Sequence, residues 1–90
     1  MKLVLKDNRR YVLRFDLDEE FISTFKKFCE EEKIESAFFT GLGATSGVDL
    51  QSFDLSTKQY SKQSFKETLE VVNLSGNISK KDSEIVIHVH

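Results

Sequence analysis

The 90-residue chain has no proline and a single cysteine, Cys29. One cysteine excludes an internal disulfide framework and fits a reducing compartment. No apolar run approaches the length of a membrane span, and Met1-Lys2-Leu3-Val4-Leu5 is too short for the apolar part of a signal peptide. The cytoplasm is the expected location. Linkers, low-complexity tracts and internal repeats are missing as well. Positive charge is scarce: 13 Lys and Arg stand against 15 Asp and Glu, a formal net charge of −2. That balance argues against a general nucleic-acid footprint, which needs clustered cations facing phosphates.

What is present is a globular composition. Hydrophobic content of 39% with 31% charged residues is far from the disordered class, and eight Phe are a large apolar payload for so short a chain. This length supports one domain with a modest buried fraction, so oligomerisation is expected before any motif is read. Charge is uneven. Residues 16–35 hold eight acids against three bases, which leaves the remainder at +3. The plain reading is ordinary solvated charge; the alternative is a mildly basic surface away from the acidic segment.

Tyr11-Val12-Leu13-Arg14-Phe15 alternates Tyr11, Leu13 and Phe15 onto one face and reads as a strand, with Leu3 to Leu5 as a partner across an Asp7-Asn8 turn. One amphipathic helix follows, over about residues 18–33. Either Asp16 with Glu19 makes a capping box, or Asp18 caps and Leu17 staples onto Ile22. Phe21, Ile22, Phe25, Phe28 and Cys29 form its apolar stripe, which is expected to pack on a sheet. Strand-like segments then run over Ser36–Thr40, Val48–Phe53, Gln59–Phe65, Leu69–Leu74 and Glu84–His90. Asp54 to Lys58 and Ser79 to Asp82 are the turns. Short connections imply antiparallel pairing. The expected fold class is α+β: a mainly antiparallel β-sheet covered by one amphipathic helix.

Three features could carry chemistry. Gly41-Leu42-Gly43-Ala44-Thr45-Ser46-Gly47 is rich in glycine, but a strand follows it instead of the helix that a phosphate loop requires. A bend or bulge between two strands is the better reading. Cys29 lies on the apolar stripe, where a buried thiol is unreactive. His88 and His90 are two apart in a strand, so both imidazoles project from one face, opposite Ile85, Ile87 and Val89. Two such imidazoles are half of a zinc or other transition-metal site. The plainer alternative is a pair of partly exposed strand histidines. Asp49, Asp54 and Glu70 could each add a carboxylate, although no spacing places them nearby.

Taken in order, these motifs resemble the plants-and-prokaryotes conserved (PPC) domain, which stands alone in bacteria and archaea and is joined to AT-hook segments in plant nuclear proteins. The resemblance runs from the strand Tyr11–Phe15 through Phe39-Thr40-Gly41-Leu42-Gly43-Ala44-Thr45-Ser46-Gly47-Val48-Asp49-Leu50 and the hairpin from Phe53-Asp54 to Tyr60. It continues through Leu69-Glu70-Val71-Val72-Asn73-Leu74-Ser75-Gly76-Asn77-Ile78 and ends on Ile87-His88-Val89-His90, similar to the family's His-x-His strand.

The resemblance implies a homotrimer and, in some prokaryotic members, a metal held by three histidines, of which His88 and His90 match. It also implies a domain that continues past His90 to a Gly-Gly-His segment. Residues 1–90 are therefore expected to be a single such domain, incomplete at the C-terminus, with zinc bound tightly only by the intact form. No established catalysis comes with the family, and no Arg-Gly-Arg-Pro hook is present. The expected function is a non-catalytic self-associating domain, a DNA-associated regulator acting through protein partners, with DNA contact weak or indirect. The alternative is a metal-dependent enzyme or small-ligand binder whose metal sits between subunits on His88 and His90.

Overall fold

The computed structural model describes all residues from Met1 to His90. In chain order the elements are β1 (Lys2–Asp7), β2 (Arg10–Arg14), α1 (Phe21–Glu31), β3 (Ala37–Thr45), β4 (Val48–Asp54), β5 (Gln59–Phe65), β6 (Leu69–Lys81) and β7 (Glu84–Val89). The class is α+β, with antiparallel pairing in β1–β2, β4–β5 and β6–β7. The strands group by hydrogen bonding into the pair β1–β2, the pair β4–β5 and a three-stranded sheet ordered β3-β6-β7, not into one sheet. By contacts the chain divides into two compact units: Met1–Phe39 with Gly76–His90, and Thr40–Ser75.

The first unit holds the core. Phe25 and Cys29 of the helix are buried with Ile78 of β6 and Ile85 of β7, and Leu13, Phe15, Phe21, Ile34, Phe39 and Ile87 pack around them. Phe25 makes edge contacts with Phe15 and Phe39, at ring-centre distances of 6.1 and 5.0 Å, an arrangement that the ring quadrupoles favour. Phe28 is buried too and meets Tyr11 edge-on at 5.8 Å. The helical stripe is as expected at Phe25, Phe28 and Cys29, whereas Ile22 is exposed.

The helix is shorter than the expected 18–33, and neither expected cap forms. Asp18 takes a left-handed turn, φ 68°, so it cannot hold the extended conformation of an N-cap. Glu20 does so instead, its carboxylate accepting from the amides of Ile22 at 2.8 Å and Ser23 at 2.9 Å. Half of the Asp16–Glu19 box survives ahead of the helix, where the Asp16 amide donates to Glu19 at 2.6 Å. The Leu17 staple is absent: Leu17 is 88% exposed. At the other end Lys33 is left-handed, and the amides of Lys33 and Ile34 return to the carbonyls of Glu30 and Cys29 at 3.3 and 2.9 Å. This is a Schellman stop, and it turns Ile34 back onto the core.

The second unit contains no buried residue. Within it β4 and β5 form a regular ribbon, paired from Val48↔Phe65 to Asp54↔Gln59. Asp54 organises the loop at its end: one carboxylate oxygen accepts from the Ser56 amide at 2.8 Å and the Ser56 hydroxyl at 2.7 Å. The left-handed Lys58 then leads back into β5. The glycine-rich segment differs from expectation. Gly41 and Gly43 lie inside β3, which runs on to Thr45, and only Ser46-Gly47 makes the bend before β4. Likewise β6 continues through Gly76 to Lys81, so the last turn falls on Asp82-Ser83, both left-handed.

Candidate functional site

β7 is positioned by its own sequence alternation. Ile85 and Ile87 turn into the core, which leaves His88 on the outward side. Its cross-strand neighbour is Asn77 of β6, and Gly76 stands opposite Val89. Paired residues share a face, so Asn77 and His88 lie side by side. The strand ends at Val89, and His90 follows immediately; both histidines are exposed.

Gly76 is the residue that permits this arrangement. A Cβ there would overlap the carbonyl oxygen of His88 and come within 2.7 Å of the Phe39 ring. The backbone of β6 therefore passes closer to the histidine-bearing segment than any side chain would allow. In the sequence Gly76 stands only as one residue of the Leu69–Ile78 motif. A glycine inside a strand pattern signals close backbone approach.

No group of three or more His, Cys, Asp and Glu side chains gathers anywhere in a geometry that could hold a metal. Two imidazoles fall short of the three protein ligands that even a catalytic zinc site uses. The donors of this chain alone do not fit zinc, and a metal at His88 and His90 would need ligands from outside these 90 residues.

The three carboxylates considered as further ligands are placed otherwise. Asp54 is spent on its loop, where hydrogen bonds from the Ser56 hydroxyl and amide hold its carboxyl below the usual range. Asp49 is held below that range by a hydrogen bond from Ser64, and it pairs with Lys62 at 3.4 Å. Glu70 is exposed on β6. Cys29 is fully buried and burial pushes its thiol up, which disfavours the thiolate that a nucleophile needs. The glycine-rich bend closes on itself, Thr45 Oγ1 donating to the Gly47 carbonyl at 2.6 Å, and leads into β4, not into a helix. It has no helix N-terminus with which to hold phosphate.

The fold and the ordered motifs point to one family. The profile of the Plants and Prokaryotes Conserved domain matches residues 4–90, and the chain belongs to that family. Among solved structures it is similar to a metal-containing protein from Archaeoglobus fulgidus, with 34% identity and a TM-score of 0.82, covering 86% of this chain and 55% of that one. It is also similar to a plant- and prokaryote-conserved protein from Pyrococcus horikoshii, with 33% identity and a TM-score of 0.73, covering 79% of this chain and 50% of that one. A third, from Bacteroides thetaiotaomicron and designated a candidate DNA-binding protein, has 34% identity and a TM-score of 0.72, covering 76% of this chain and 48% of that one. The chain thus spans about half the length of the solved structures it matches. No curated protein matches it. No helix is long and apolar enough to cross a membrane.

Proposed function

We propose that this chain is a non-catalytic, self-associating domain that serves DNA-associated regulation in the cytoplasm through protein partners. The observation that carries the reading is the unit Thr40–Ser75, in which no residue is fully buried. Leu42 is 85% exposed and Val72 80% exposed, and the β4–β5 ribbon also presents Leu50, Phe53 and Tyr60 to solvent. A two-stranded ribbon is marginally stable at best by itself, and large apolar side chains left to solvent invite a partner surface. Further copies of the chain would cover that surface, in keeping with the trimer that the family resemblance implies. The candidate DNA-binding designation of the Bacteroides relative supports the association with DNA.

Sedimentation velocity over a wide concentration range tests the reading. A trimer is expected, and Leu42→Glu with Val72→Glu is expected to shift it toward monomer. A monodisperse parent monomer at every concentration would overturn it.

A second reading has its own support. His88 and His90 are exposed at the end of one strand, and the Archaeoglobus relative is a metal-containing protein. Zinc between subunits would take these two imidazoles from each copy that contributes, and an open position on the metal would suit a metal-dependent enzyme or small-ligand binder.

A further inference from the structure

We propose that the outer face of the β1–β2 hairpin is a contact surface for the phosphate backbone of duplex nucleic acid. This goes beyond the reading above, in which DNA is reached through partners, and duplex binding is measurable whatever the oligomeric state.

The charge of the molecule is sorted by element. Residues 1–15 hold five bases and one acid, residues 16–35 three bases and eight acids, and residues 36–90 five bases and six acids. All of the excess positive charge therefore sits in one hairpin. Tyr11 packs on Phe28 and Leu13 on the core, so strand alternation turns Arg10, Val12 and Arg14 outward. Cross-strand pairing puts Lys2 beside Arg14, Leu5 beside Val12 and Asp7 beside Arg10 on that same face. Arg10 is partly spent on Asp7 at 3.0 Å. Lys2, Arg9 and Arg14 make no ion pair, whereas the neighbouring Asp16 already pairs with the Met1 amino group at 2.9 Å.

Geometry favours a duplex over other polyanions. Arg10 and Arg14 are separated by about 14 Å along an extended strand. That span is close to the major-groove width of about 12 Å, a groove that admits a two-stranded ribbon. The exposed Leu5 and Val12 lie between the charged ends, where groove walls offer sugar and methyl contacts and not a second row of anions.

Three free cations per engaged chain predict a slope of log affinity on log salt of about −2.7, or about a 40-fold loss between about 50 and 200 mM salt. Fluorescence anisotropy with a labelled random-sequence DNA duplex reads this directly. The variant carrying Lys2→Gln, Arg9→Gln and Arg14→Gln is expected to lose most of the affinity and to keep only the part of the slope that the Asp7-paired Arg10 supplies. Lys58→Gln with Lys66→Gln, on the other hairpin, is expected to behave as the parent. Circular dichroism checks the fold; if the triple variant is unfolded, Arg9→Gln at the exposed turn decides, with an expected slope change of about 1. Equal slopes in parent and variant, or no duplex binding at low salt, would overturn the proposal. So would binding of polyglutamate or of phosphatidylserine vesicles by this hairpin at the same strength, which would make the surface a general anion contact.

Discussion

Gly76 lies directly against the carbonyl of His88, leaving no room for a side chain between the two strands. The contact couples the candidate metal-binding segment to the interior, because the same missing Cβ also faces the Phe39 ring of the core. Gly76→Ala is expected to destabilise the chain by about 1–3 kcal/mol through overpacking. Urea unfolding followed by circular dichroism measures it. An unchanged midpoint would mean that β6 and β7 are farther apart in solution.

Phe25 is 7% exposed and sits at the centre of the aromatic cluster with Phe15, Phe21 and Phe39. Phe25→Ala removes that ring and leaves a cavity, and the expected cost is about 3–5 kcal/mol. The same mutation at the exposed Phe38 is expected to be nearly neutral. Hydrogen exchange offers an independent check: amides from Phe21 to Cys29 should be among the best protected, and free exchange there would contradict this packing.

Glu20 caps the helix, and the amide hydrogen bond from Ser23 holds its carboxyl below the usual glutamate range. A lowered folded-state value means that the stabilisation is complete above the ordinary glutamate value and is lost as pH falls through the lowered one. Glu20→Gln should therefore unfold at lower urea than the parent at neutral pH, by about 0.5–1 kcal/mol for an exposed cap. The gap should narrow as pH falls below the ordinary glutamate value of about 4.3. A gap independent of pH would show that the charge on Glu20 contributes nothing.

Zinc tests the histidine pair. Two imidazoles without further donors are expected to bind weakly as a monomer, and binding should tighten when further copies or the family's next histidine complete the set. Calorimetric titration of the parent and of His88→Ala separates the outcomes. Identical heats in both would remove this pair from any metal site.

Much of the local structure was legible in the residues. The period of Phe21, Phe25, Phe28 and Cys29 located the helix, and the alternation in Tyr11–Phe15 located β2, because each period is a property of neighbouring residues. The start of the helix is not legible in the residues because several acids compete for the cap, and the competition is decided by whichever residue the chain leaves extended. Asp18 turned left-handed, and Glu20 took the role. The alternation of His88 with Ile87 and Val89 likewise anticipated an exposed histidine beside a half-buried row, whereas Gly76 was visible only as a glycine.

By itself the sequence determined the class, the helix, the antiparallel hairpins and the order of motifs that defines the family, since all of these rest on local periods and short connections. Only the tertiary structure decided which strands share a sheet, that β3 and β6 run unbroken through their glycines, and that Gly76 touches His88. It alone collected the free cations Lys2 and Arg14 onto one face, because they are twelve residues apart and meet only through strand register. Register is a non-local quantity: it depends on which long-range pairing buries the most apolar surface, and no window of neighbouring residues contains that comparison.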